Sequence, residues 1–334
     1  MPRLKGIFIL RSDAYDEIYG LEERAVIDEL IDVLAPPQTA REVLTHPEIL
    51  REVEVILSGW GAPLIDEAFL EHTPCLRVIF YGAGSIRGFV TDALWERDIL
   101  ITSAQDINAI PTAEYTLATI LFSLKHGWKL AAQTRTEQRF PERDNVPGIY
   151  GACVGIISLG MVGRRVRELL RPFNLHIIVY DPYISLEEAA ALDVTLCSLE
   201  TLFREAQVVT VHAPLLPETT GMILGTHLSS MRPGATFINT ARGGLIRQEE
   251  MIAVLEQRPD LYAMLDVTDP EPPEFGSPLY TLPNVTLTPH IAGSLGSERR
   301  RLGQVMVEEL RRFIAGETLQ HKLTREQIQL MASS

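Results

Sequence analysis

The stretch Val154-Gly-Ile-Ile-Ser-Leu-Gly-Met-Val-Gly163 decides how this chain folds. A β-branched apolar run leads into small residues, and a helical pattern then continues to Leu170 and stops before Pro172. Small residues at such a turn let the backbone approach a pyrophosphate, whose charge is taken by amide N–H groups at the helix N-terminus. The G-x-G-x-x-G pattern is degenerate here, because Ser158 stands in place of its first glycine while Gly160 and Gly163 are retained. By itself the loop equally describes two helix-packing glycines. Asp181 shifts the balance: it lies 18 residues beyond Gly163, directly after the apolar run 177–180, where a carboxylate receives the ribose 2′-hydroxyl. Asp181 also suits an ordinary strand-end turn before proline. A carboxylate there repels a 2′-phosphate, and Pro182, Tyr183 and Ile184 supply no guanidinium, so the expected dinucleotide is NAD rather than NADP.

Outward from this loop the same alternation continues. Strands are expected at 152–158, 175–180, 207–211, 235–239, 262–267 and 285–288, with helical segments such as 162–170, 198–205 and 248–257 between them. Six alternating strands predict a doubly wound parallel sheet. Upstream, short apolar runs at 6–10, 53–57, 77–80 and 99–102 alternate with helical segments at 22–34 and 65–71, which predicts a second layered α/β unit. Between the two, Pro111 suits the first position of a helix over 112–132. Tyr115, Leu117, Ile120, Leu121, Phe122, Leu124 and Trp128 make that helix apolar around most of its circumference, so it is either a core helix or one shared between domains or subunits. A polar loop is expected over 134–148. The last long helix, 297–315, starts at a Ser297 cap, ends near Gly316 and is expected to pack on the first unit.

Composition bounds the function. A length of 334 residues suggests two domains. Thirty Lys+Arg against forty-four Asp+Glu leave a net charge of −14, which argues against nucleic acid as a partner, since a phosphate backbone needs a basic footprint. Cys75, Cys153 and Cys197 form no C-x-x-C, so neither a disulfide framework nor a metal site is expected, and a reducing compartment is the natural one. The run 7–10 is too short for a signal-peptide core, and no stretch approaches the roughly 18 apolar residues of a membrane span. The expected location is cytoplasmic, with no membrane partner.

Three further segments fall at the ends of expected strands, where open α/β sheets bind ligands. They are Ile238-Asn-Thr-Ala-Arg-Gly-Gly244, Leu265-Asp-Val-Thr-Asp-Pro-Glu-Pro272 and Leu287-Thr-Pro-His-Ile-Ala-Gly293. With them, the chain resembles the D-isomer-specific 2-hydroxyacid dehydrogenase family from about residue 53 to 316. The likeness includes residues 108–114 and His212-Ala-Pro214 with Thr219 and Thr220. Departures are Ser158 for glycine, and Thr268 and Asp269 where the family often has Phe and Glu.

The resemblance implies a Rossmann-type doubly wound sheet, residues 106–295, inserted into a flavodoxin-like α/β substrate domain made of 1–105 plus 296–334. It implies NAD-dependent hydride transfer between nicotinamide and a small D-2-hydroxy acid or 2-keto acid of the glyoxylate, hydroxypyruvate or pyruvate type, in a homodimer. His290 looks like the acid/base, Glu271 its carboxylate partner and Arg242 the substrate-binding arginine. Cofactor contacts are implied for Ser158, Gly160, Met161, Val162, Gly163, Asp181, His212, Pro214, Thr219, Thr240, Ala241, Asp266, His290 and Gly293. Asp266 would face the nicotinamide carboxamide. Trp60 and Gly61 after one strand, and Gly82, Ala83 and Gly84 after another, look like loops whose amides receive the substrate carboxylate.

The residue chemistry agrees. Adding hydride to a 2-keto acid creates an alkoxide that needs a proton, and a histidine titrating near neutrality is a suitable donor. A carboxylate beside it favours imidazolium and fixes the tautomer. A planar α-keto carboxylate matches a guanidinium fork. The alternative from another class is a dinucleotide-sensing interaction protein, since the same family includes corepressors of the C-terminal-binding-protein type.

Overall fold

In the computed structural model, which describes residues 3–329, the short apolar runs become parallel strands. The chain divides into two compact units, one made of the residues up to Asn108 and those from Ser294 onward, the other of Ala109–Gly293. The sequence draws these lines at 105/106 and 295/296. Asn108 and Ser294 both stay with the first unit, where Ser294 N donates to Asn108 Oδ1 (3.3 Å).

The first unit carries β1 (Lys5–Ile9), β2 (Asp32–Val33), β3 (Val55–Ser58), β4 (Val78–Tyr81) and β5 (Leu100–Ser103) in one parallel sheet of order β2-β1-β3-β4-β5. That is the flavodoxin-like order, and its winding reverses between β1 and β3. The central strands β3 and β4 are buried throughout, which is why they read as unbroken apolar runs rather than alternating ones. The loops that follow β1 and β3 meet at the reversal, where Arg11 N donates to Trp60 O (2.9 Å). The long helix Glu298–Ala315 packs on helices Ser12–Ile18 and Leu21–Leu30 of this unit through Leu302, Met306 and Leu310. Its Gly303 lies so close to the chain at Ile18 that a Cβ there would come within 2.0 Å of the Ile18 carbonyl oxygen.

The second unit holds β6 (Cys153–Ile157), β7 (His176–Tyr180), β8 (Thr195–Leu196), β9 (Val208–Val211), β10 (Thr236–Asn239), β11 (Tyr262–Leu265) and β12 (Val285–Leu287). The order is β12-β11-β10-β9-β6-β7-β8, all parallel, with helices on both faces. The chain winds from β6 through β7 to β8, then crosses back to β9. The C-terminal ends of β6 and β9 therefore flank the point where the winding reverses, which is where such sheets bind ligands. All six expected strands of this unit are present, shorter by one to two residues in places, and β8 joins them as a two-residue edge. Neither β8 nor β2 has enough alternation to be recognised in the sequence.

The helical expectations need four corrections. The segment expected over 22–34 is helical only as Leu21–Leu30, and residues 32 and 33 go to β2 instead. Pro111 is not at a helix start: it is buried inside Gln105–Ser123, which begins earlier because Ser103 Oγ accepts from Gln105 N (3.2 Å) and Ala104 O from Asn108 N (2.9 Å). The single helix expected over 112–132 is two. Gln105–Ser123 ends where His126 turns to φ +49°, and Gly127–Glu137 follows, taking the first residues of the expected polar loop. Gly127 packs beneath the Phe122 ring at this break, and a side chain there would push the ring aside. Finally, Ser297 does not cap the last helix through its side chain; the Glu298 carboxylate instead accepts from Leu295 N (2.9 Å).

Candidate cofactor and active site

The glycine loop is built by close approach. After β6, Ser158 takes φ +73° and donates its N–H to Tyr180 O (2.8 Å). The helix Met161–Leu170 then starts at Gly160 and lies tight against the loop, so that a Cβ on Gly163 would sit 2.1 Å from the Ser158 carbonyl oxygen. Only glycine fits at position 163. The first-turn N–H groups of Met161, Val162 and Gly163 have no preceding helical carbonyl to bond and present a partial positive charge. Asp181 stands beside them at the end of β7. Its carboxylate accepts from Leu159 N (2.7 Å) and Tyr183 N (2.8 Å), which holds the glycine loop and the next turn together.

A cavity of about 580 Å³ opens between these turns and the segment after β9. Its walls include Ser158, Asp181, Pro214 and Thr219, which the sequence marks as cofactor contacts, and also Leu216, Met222 and His227, which it does not. Those three lie in or after a loop without periodicity, and only the fold brings them to the cavity. Among the described residues the walls carry Asp181, Glu200 and Glu218 and no Lys or Arg. Thr219 Oγ1 donates to Pro214 O (2.6 Å) and accepts from Leu216 N (2.8 Å), so it shapes the cavity wall from within the loop. His212 is buried with Nε2 against Thr210 Oγ1 (3.1 Å); burial pushes its imidazole down to about 3, so it is neutral at physiological pH.

The three strand-end segments build the second half of the site. After β10, the Asn239 side chain accepts from Ala241 N (2.9 Å) and donates to Arg242 O (2.9 Å), locking the turn that carries Thr240, Ala241 and Arg242. Thr240 also meets Thr116 of the helix Gln105–Ser123 (3.1 Å). The following Gly243 passes against the Thr268 backbone, with room for no side chain. Arg242 is half-buried, and its Nη1 donates to Ala241 O (2.8 Å). Burial draws its guanidinium below the ordinary value, and the neighbouring Glu271 carboxylate opposes the shift.

After β11, buried Asp266 accepts from Thr288 Oγ1 (2.6 Å), Ile291 N (2.9 Å) and Ala292 N (2.9 Å), while its backbone oxygen takes His290 N (3.0 Å). The Asp266 carboxylate thus holds the 288–292 turn in place, a role the sequence did not reveal. Tyr115 OH, against Thr288 Oγ1 (2.9 Å), extends the same network. Held this way, His290 takes φ +52° and sets Nδ1 at 2.6 Å from Glu271 Oε1. Both side chains are exposed, 46% and 42% respectively. Glu271 reaches it from a loop in which the bonds to Pro270 and Pro272 are both cis. Gly293 closes the unit just beyond this turn.

The family model described as D-isomer specific 2-hydroxyacid dehydrogenase, NAD binding domain, matches residues 117–292. The chain belongs to the D-isomer-specific 2-hydroxyacid dehydrogenase family. Among family members, it is 31% identical over 268 residues to a D-3-phosphoglycerate dehydrogenase of Mycobacterium bovis, covering 77% of this chain and 48% of that one. It is 31% identical over 253 residues to an (S)-sulfolactate dehydrogenase of Chromohalobacter salexigens, covering 75% and 81%. A solved phosphoglycerate oxidoreductase from Rhizobium etli superposes with a TM-score of 0.80 at 22% identity, over 97% of this chain and 99% of that one. The chain spans about half the length of the phosphoglycerate dehydrogenases it matches. NAD is the cofactor of the matched domain. The residues present fit it: the Gly163 contact admits no side chain, the helix amides suit a pyrophosphate, and Asp181 lines the adjoining cavity.

The loops that the family likeness gives to substrate lie in the first unit. Gly61 follows Trp60 at φ +89°, packed on Arg11, and the Arg299 guanidinium lies 5.0 Å from the Trp60 ring centroid. The Gly82 N–H, expected to help receive a carboxylate, is already spent on Ser58 O (2.9 Å), because the chain turns directly beside β3. Ala83 and Gly84 offer their carbonyls to Ser103 Oγ (3.0 and 2.6 Å). No helix among the described residues is long and apolar enough to cross a membrane, and among them no group of His, Cys, Asp and Glu is placed to hold a metal ion.

Proposed function

We propose that this chain is an NAD-dependent dehydrogenase that interconverts a small D-2-hydroxy acid and its 2-keto acid, of the glyoxylate, hydroxypyruvate or pyruvate type. The observation that carries the reading is the His290–Glu271 contact at 2.6 Å, held by the Asp266 network and close to the half-buried Arg242. NADH, when bound, supplies the hydride. Arg242 pairs with the planar carboxylate of the keto acid and polarises the adjacent carbonyl. His290 donates a proton to the C2 oxygen as it becomes an alkoxide, and takes it back in the oxidation direction. Glu271 holds the ring through Nδ1, so that the other nitrogen is the one that exchanges the proton, and balances the imidazolium. The substrate loops at Trp60 and Gly61 and at Ala83 and Gly84 belong to the same reading.

NAD is favoured over NADP because the adenosine-side cavity carries carboxylates at Asp181, Glu200 and Glu218 and no cation to receive a 2′-phosphate. A homodimer is supported by the family likeness and by large apolar side chains left outside the core after the helix Gly127–Glu137, Phe140 at 89% and Tyr150 at 84% exposed. Sedimentation should then give twice the 37.3 kDa of one chain. Three free cysteines without a paired motif suit a reducing cytoplasm.

The deciding experiment is NADH consumption against glyoxylate, pyruvate, hydroxypyruvate and 2-ketoisocaproate. Turnover with at least one of them is expected. Tight NADH binding with no turnover on any would overturn the dehydrogenase reading and leave the dinucleotide-sensing alternative.

A further inference from the structure

Ser158 occupies a backbone conformation that costs an L-residue energy and that glycine adopts freely, at φ +73°. The chain cannot relax out of it. Its N–H is fixed to Tyr180 O (2.8 Å), and its carbonyl oxygen is the atom against which Gly163 packs. A glycine at 158 would meet both demands without strain, so the serine has to be accounted for by its side chain. That hydroxyl has no hydrogen-bond partner among the described residues, although Ser158 lines the cavity of about 580 Å³ that Asp181 also borders. It overhangs the start of the helix Met161–Leu170: the nearest atom to a Cβ built on Gly160, the residue before that helix, is Ser158 Oγ at 3.9 Å. The first-turn amides that hold a pyrophosphate begin at this point.

We propose that the Ser158 hydroxyl donates a hydrogen bond to the cofactor's pyrophosphate, a contact that glycine at this position cannot make. Asp181 then recognises the ribose and Ser158 the phosphate beside it, and the loop exchanges backbone ease for an additional donor to an anion. Hydroxyl donors to charged oxygens are stronger than neutral pairs. The inference rests on NAD as the cofactor and does not require turnover.

The test uses the full chain with Ser158→Gly and Ser158→Ala, measuring NADH, ADP-ribose and adenosine binding alongside cofactor-free thermal unfolding. Both variants should bind NADH and ADP-ribose roughly ten- to hundredfold more weakly, the worth of one hydrogen bond to a charged group, with adenosine unchanged. Cofactor-free Ser158→Gly should melt no lower than wild type, because it releases the left-handed strain. Ser158→Ala keeps the Cβ and the stiff backbone, so its loss of affinity separates the hydroxyl from loop flexibility. Wild-type NADH affinity in either variant would overturn the proposal, and so would adenosine weakened as much as ADP-ribose. Wild-type protein that binds no NADH at all would fail the cofactor assignment itself.

Discussion

Among the described residues two histidines hydrogen-bond a carboxylate, His290 and His321, and the two pairs are built differently. In the second unit, His290 Nδ1 lies 2.6 Å from Glu271 Oε1, with a ring 46% exposed and a backbone held in the left-handed region by Asp266 and Thr288. In the first unit, His321 Nδ1 lies 3.1 Å from Asp106 Oδ1, and its side chain is only 19% exposed. Its main chain is pinned on both sides: His321 N donates to the buried Glu309 carboxylate (3.0 Å), and its carbonyl accepts from Ser103 N (3.1 Å). Arg312 balances Glu309. The second pair fastens the chain after the last long helix to the first turn of Gln105–Ser123. A carboxylate beside a histidine is therefore not by itself a sign of catalysis. What distinguishes His290 is a ring left open, carried on a turn whose unfavourable backbone is maintained by buried hydrogen bonds and close to Arg242.

Substitutions can break or sharpen this contrast. The largest effect is expected from His290→Ala, which should lower kcat by about 100-fold or more, the typical worth of a positioned acid/base, while NADH binding is kept. Steady-state rates and a fluorescence titration measure both, and a loss below tenfold would remove the distinction between the pairs. Arg242→Lys comes next: an ammonium cannot reproduce the fork, so kcat/KM for the keto acid should fall by roughly 10- to 100-fold, with NADH affinity again retained. Glu271→Gln keeps the shape but not the charge, and about a tenfold loss in kcat is expected from a ring less well held and less well balanced. Full activity in that variant would make Glu271 a bystander.

The smallest effect belongs to the other pair. The Asp106 hydrogen bond raises the His321 pKa above its ordinary value of 6.5. A histidine with a raised folded value contributes stability that is complete below the unfolded value and disappears as pH rises through the folded one. His321→Ala should leave kcat unchanged and cost on the order of 0.5 kcal/mol near pH 6, a gap that closes towards pH 8.5. Thermal unfolding at the two pH values reads this directly. A melting gap that is constant with pH would remove the ion-pair account, and a turnover loss as large as that of His290→Ala would collapse the contrast.

Much of the site is legible in the chain because its signals are local. Strand, glycine turn and helix follow one another within residues 154–170, and each is specified by side-chain size and β-branching at neighbouring positions. The same holds for the strands whose C-terminal ends lead into Arg242, Asp266 and His290, since parallel strands inside a sheet are continuous apolar runs. The errors fall where a local rule has two solutions. Pro111 suits a helix start and is tolerated inside a helix here, and an apolar stretch such as 112–132 does not show that His126 will break it with a left-handed turn. The short edges β2 and β8 carry too few residues for any period to appear.

By itself, then, the amino-acid sequence determined the alternation of strands and helices, the dinucleotide loop with its acidic partner, and the three segments that bear Arg242, Glu271 and His290. Periodicity and turn chemistry act over a few residues, and a chain displays them without being folded. Only the tertiary structure decided that Glu271 touches His290, that Asp266 is spent on holding the His290 turn, and that Leu216, Met222 and His227 wall the cavity beside Asp181. It alone decided that Ser158 adopts a glycine's conformation and that Gly82 has no amide to offer. Each of these depends on which strand lies beside which and on the path of the loops between them. Those are set by packing the whole sheet, where a contact between distant segments is stabilised by burial that no single segment contains.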